Sequence, residues 1–121
     1  MTYFLGNIAD KTLGNVNYRE VLYSGPKMQL VVMSLEPGEE IGEEIHADHD
    51  QLLHFEAGEG KAVLDGVPHD VKVGDVVIVP AGMRHNIINS STDAMMKLHT
   101  VYAPPEHKPG TIQPRKRDSI S

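Results

Sequence analysis

Residues 74–89 read GDVVIVPAGMRHNIIN. Val76, Val77, Ile78 and Val79 form a run too short for a helix and well suited to a strand buried in a sheet. Pro80, Ala81 and Gly82 end that run, because proline removes a ladder donor and glycine admits a sharp turn. His85 then opens a second apolar run and can point inward from its first position. Working outward, the same rhythm recurs. Short β-type runs occupy residues 18–23, 29–35, 51–57, 61–64, 71–73 and 95–102. Gly, Pro, Asn or Asp breaks separate them, and Asp65-Gly66 is a hairpin turn signal. Many short strands at regular spacing imply an antiparallel sandwich or barrel. No window carries an apolar stripe of helical period and helix length. Residues 2–17 show no clear period, so extended arms and short strands are expected there.

The composition narrows the function. A chain of 121 residues is one domain, and 40% apolar content makes it globular. There is no cysteine, which excludes disulfides and thiolate metal sites. The net charge of −6 argues against a nucleic-acid partner. The one basic cluster, Arg115, Lys116 and Arg117, falls in a polar segment after Pro114 and reads as a solvated C-terminal tail. No basic region followed by a long apolar stretch opens the chain, and no run approaches membrane-spanning length. A cytoplasmic protein with no membrane partner is expected.

Seven histidines point to a metal, and their spacing says where. Glu44 and His46 are two apart, so on a strand both face the same way. Gln51 follows a short turn and can return beside them, and the corner at Pro80 and Gly82 re-aims the chain so that His85 can join. The interior of a small barrel is where Glu44, His46, Gln51 and His85 can meet. Two imidazoles, a carboxylate and an amide oxygen suit one divalent Fe, Mn, Ni, Co or Zn. A dication beside one carboxylate leaves a local charge of about +1, which favours an anionic or chelating oxygen ligand. His49 is a rival ligand or a rim residue. His54 lies out of phase with Gln51, on the opposite face. His99 either lines the pocket or faces out, and His69 and His107 are expected on the surface. Asn89 is expected to be structural. Arg84 reads as a surface ion-pair partner or an anion contact at the mouth. Met33, Leu35, Leu53, Phe55, Ile87 and Met95 are expected inward.

These spacings resemble the cupin superfamily. Gly74, Pro80, Gly82, His85 and Asn89 match its second motif at every position. Gly38, Glu44, His46, Gln51 and Gly58 match the spacing of its first motif, with Glu44 where a first His is usual and Gln51 where a Glu is usual. The resemblance implies an all-β, antiparallel double-stranded β-helix or jelly-roll barrel over residues 25–105. An N-terminal arm with edge strands (1–24) and a C-terminal tail (106–121) would flank it in one domain. It also implies a metal-dependent enzyme on a small oxygen-rich substrate, with dioxygenase-type chemistry favoured over sugar or keto-acid isomerisation or decarboxylation. A non-catalytic ligand-binding cupin is the further alternative. Unpaired sheet edges imply a homodimer.

Overall fold

The computed structural model describes residues 1–118. It contains α1 (Ile8–Gly14), β1 (Arg19–Ser24), β2 (Gln29–Leu35), β3 (Asp50–Ala57), β4 (Gly60–Leu64) and β5 (Val67–Val71). Then follow β6 (Val76–Val79), β7 (His85–Ile88), β8 (Met96–Ala103) and β9 (Ile112–Gln113). Six strands form one sheet in the order β6-β3-β8-β2-β1-β9, and three form another in the order β5-β4-β7. Their pairings are antiparallel, and the two sheets make the jelly roll. No helix among the described residues is long and apolar enough to cross a membrane.

Alternation decides which side chains enter the barrel. On β8, Met96, Leu98, Thr100 and Tyr102 are buried, while Lys97, His99 and Val101 face outward. On β3, Gln51, Leu53 and Phe55 point in and Leu52, His54 and Glu56 point out. The core between the sheets includes Val31, Met33, Leu35, Leu53, Phe55, Ile87 and Leu98. The expected turn is present: Asp65 (φ +50°) and Gly66 (φ +83°) join β4 to β5. Gly58 has φ +81°, and a Cβ there would stand 2.5 Å from the carbonyl oxygen of Met95, so only glycine fits.

Three expectations are corrected. Residues 8–14 are helical, not extended. Two turns are too short to show a period, and the helix is held by its surroundings. The Asn7 side chain caps it by accepting from Asp10 N at 2.9 Å, and the helix's own Thr12 is fully buried on the side facing the sheet. Lys97 Nζ ties its end down through the carbonyls of Leu13 (3.0 Å) and Asn15 (2.6 Å). Met95 is exposed and Met96 fills the core, because β8 begins one residue later than expected and a one-residue slip exchanges the faces. Part of the segment after residue 105 is anchored: residues 112–113 form β9, which pairs with β1, and Gln113 accepts from Arg19 Nη1 at 2.7 Å.

Asn89 is structural, as expected. It is fully buried, and its Nδ2 donates toward the carbonyls of Leu35 (3.0 Å), Glu36 (3.1 Å) and Ala94 (2.8 Å). Asn89→Ala would leave buried carbonyls unpaired and is expected to cost about 2 kcal/mol or more, measured by urea denaturation.

Candidate metal centre

The loop before β3 is carried across the barrel by backbone pairing. Glu44 N donates to His85 O at 2.8 Å, and His85 N donates to Glu44 O at 2.9 Å. This bridge sets the two side chains next to one another. Gly82 N donates to His46 O at 2.8 Å, which brings the motif's corner against His46. Gln51 enters from the start of β3, between Val79 of β6 and Tyr102 of β8.

The four expected ligands converge. One donor atom each from Glu44, His46 and His85 lies within 4.8 Å of the others. The rings of His46 and His85 are 5.2 Å apart. Gln51 Oε1 stands 3.1 Å from His85 Nε2, and both side chains are at least 96% buried. Gln51 Nε2 donates to Thr100 Oγ1 at 3.0 Å, which turns the amide oxygen toward His85.

The donor set fits a dication. His85 Nδ1 faces the Met83 carbonyl at 3.1 Å while its Nε2 faces the Gln51 oxygen. A neutral imidazole has one N–H for two acceptors, so one nitrogen meets an oxygen with no proton between them. A cation at Nε2, with the proton on Nδ1, satisfies both contacts. His46 Nε2 is buried without a hydrogen-bond partner and lies 3.7 Å from Glu44 Oε1.

The electrostatics follow from burial and pairing. The facing Glu44 carboxylate raises His46 above its ordinary pKa, against the opposing effect of burial. Burial alone would raise Glu44, but His46, with Arg19 and His85, holds it below the usual carboxylate value. Burial pushes the Tyr102 hydroxyl far up, so it stays protonated.

His49 occupies the rim, one of the two places expected for it. The structure also brings residues that were not expected: Glu106 contacts His49 Nε2, and its Oε2 is 3.4 Å from His46 Nδ1. His107 is not a surface residue. It is half-buried, its ring lies 5.2 Å from that of Tyr102, and its Nε2 has no hydrogen-bond partner. The chain folds back after Ala103, and Gln29 Oε1 accepts from Glu106 N (3.2 Å) and His107 N (3.0 Å). No local pattern signals that return. Arg19 is 2% exposed, and its charge acts on Glu44, His46, Tyr102 and His107. Its signal was its phase, since it shares the inward parity of Val21. His69 is exposed as expected. His54 and His99 lie outside the barrel, and Arg84 sits near Glu43 at 3.7 Å on the surface.

Burial, then the charge of Arg19, brings His107 down to about 4. Its ring is therefore expected to stay neutral on acidification to pH 5, read from its imidazole NMR shifts. An unfolded histidine binds a proton near pH 6.5 and the folded one does not. This residue therefore makes stability fall as pH drops from 6.5 toward 4, and His107→Gln is expected to flatten that part of the profile in chelator-treated protein.

The family description "Cupin domain" matches residues 31–102. L612 of Acanthamoeba polyphaga mimivirus is 42% identical over 120 residues, which span 96% of this chain and 74% of that protein. YrkC of Bacillus subtilis is 36% identical over 124 residues, covering 98% of this chain and 66% of its own length. The crystal structure of BH2720 from Bacillus halodurans superposes with a TM-score of 0.91 at 36% identity, covering 95% of this chain and 91% of that one.

Proposed function

The chain belongs to the cupin family, and we propose that it binds one divalent transition metal through Glu44, His46, Gln51 and His85 and acts as a metal-dependent enzyme on a small, oxygen-rich anion. The observation that carries this reading is the convergence of His85 Nε2 and Gln51 Oε1, 3.1 Å apart, beside the buried, unpartnered His46 Nε2 and the Glu44 carboxylate. A Fe, Mn, Ni, Co or Zn ion here would polarise substrate oxygens, and a redox-active one would also support dioxygen chemistry.

The chain's own residues suit such a substrate. Met83 holds His85 through Nδ1 and Thr100 holds the Gln51 amide, so both donors are oriented in advance. Arg19 places a permanent positive charge in the barrel wall, and Gln113 fixes its guanidinium. That charge favours a carboxylate or enolate over a neutral molecule. Tyr102 keeps its proton and can donate to an oxygen atom. Dioxygenase-type chemistry is the first reading, because two histidines and one carboxylate are the composition used by non-haem iron oxygenases. The His49–Glu106 pair favours a second, isomerase or decarboxylase reading, since it can move a proton at the rim without dioxygen.

Metal analysis of untagged protein tests the binding. His85→Ala is expected to remove most of the metal, and Gln51→Ala to weaken binding less than His46→Ala, because a neutral amide is the poorest donor. Turning the Gln51 amide over would let it donate to His85 with no metal present, and unchanged metal content in His85→Ala protein would favour that arrangement. Oxygen uptake with a panel of diketones, catechols and flavonols supports the oxygenase reading. Turnover of sugars or keto acids without uptake supports the second.

We also infer a homodimer. Val76 and Ile78 expose apolar side chains on β6, an edge strand of the larger sheet. Light scattering on the eluted protein is expected to give about twice the 13.3 kDa chain mass, and a monomer mass would overturn this.

A further inference from the structure

We propose that the outer face of the six-stranded sheet carries a second divalent-metal site, built from His54, Glu56 and His99 and suited to a zinc-like cation. It is separate from the barrel interior, because His54 and Glu56 alternate with the inward Leu53 and Phe55 along β3. His99 likewise alternates with the inward Leu98 and Thr100 on β8.

The register assembles this trio. His54 and His99 are direct partners across the β3–β8 ladder, and their rings stand 4.9 Å apart at 34°. The pairing shifts between Phe55 and Ala57, so Glu56 occupies a bulge, the local device by which a strand re-aims a side chain. It brings the Glu56 carboxylate back onto the two imidazoles. Glu56 Oε1 lies 2.7 Å from His54 Nδ1 and 3.7 Å from His99 Nδ1. Donor atoms on one tetrahedral zinc stand roughly 3.3 to 3.6 Å apart, given bonds of about 2.0 to 2.2 Å. The observed spacings bracket that value, and one donor atom from each residue lies within 4.8 Å of the others.

A simple ion pair explains the trio less well. His54 Nδ1 is buried and makes no hydrogen bond, although the carboxylate oxygen is so close, so the contact lacks the alignment of a shared proton. Two of the three are sheltered: the side chains of His99 and Glu56 are 13% and 15% exposed, and that of His54, 31% exposed, leaves the site open on its own side. Helix α1 closes one side, with Thr12 Oγ1 3.5 Å from His99 Nδ1 while that hydroxyl donates to Ile8 O at 2.7 Å. Two imidazoles and one carboxylate suit Zn(II), or Co(II) and Ni(II), and leave a further position for water or a fourth ligand. An ion held there would tie β3 to β8.

The test titrates chelator-stripped, full-length protein with Zn(II), using calorimetry and histidine ring NMR. Two ions per chain are expected. His54→Ala/His99→Ala protein is expected to bind one, and His46→Ala/His85→Ala protein also one. In the latter, zinc should shift the ring signals of His54 and His99. Glu56→Gln keeps the shape of the side chain and is expected to weaken the outer site by roughly tenfold or more. The proposal is overturned if His54→Ala/His99→Ala protein binds as much zinc as the wild-type chain. It is also overturned if His46→Ala/His85→Ala protein, folded by circular dichroism, binds none. Zinc lost only from the His54→Ala/His99→Ala protein would uphold the outer site while sinking the barrel reading.

Discussion

Two backbone hydrogen bonds between Glu44 and His85 hold this molecule's chemistry together. They are obligatory pairings, since amides and carbonyls inside a fold must find partners. Glu44 and His46 sit on an otherwise irregular segment, and the bridge makes that segment an extension of the smaller sheet beside β7. Ile41 N, donating to Ile87 O, and Asn89 N, donating to Glu39 O, continue the same pairing on one side, and Gly82 N with His46 O does so on the other. With the register set in this way, Glu44 lies beside His85, and Gln51 needs only to enter from the opposite sheet.

That placement concentrates ionisable groups in a small volume. Glu44 and Arg19 carry formal charge there, and the nearby imidazoles respond to them in opposite ways. His46 is raised because it faces Glu44, whereas His107 is lowered because it is desolvated and feels Arg19. Charges removed from water are costly unless they are paired or held by an ion. Within this interior His46 Nε2 and His107 Nε2 are buried without hydrogen-bond partners, which is the feature the proposed metal and substrate would satisfy.

The period of the strand gives β3 and β8 two chemical faces. Inward, Gln51, Thr100 and Tyr102 serve the barrel, and outward, His54, Glu56 and His99 gather on the far side of the same backbone. Rigid ladder pairing holds each group without needing the other, so the two faces can differ in chemistry.

The β architecture, most of the core and the Asp65–Gly66 turn were determined by local pattern. Spacing marked Glu44, His46, Gln51 and His85 as candidates, and the long-range Glu44–His85 bridge then decided their meeting. Alternation and turn chemistry act between near neighbours, and a corner such as Pro80 and Gly82 announces itself in the residues that form it. The short helix 8–14 and the exchange of Met95 for Met96 escaped, because two turns show no period and a strand's first residue is set by its partner. The inward phase of Arg19 was legible beside Val21, but its partner Gln113 comes from the distant β9. Glu106 and His107 were decided only by tertiary structure. Each looks like a surface residue in its own segment, and each reaches the barrel because Gln29 captures the returning chain, a contact between residues far apart in sequence.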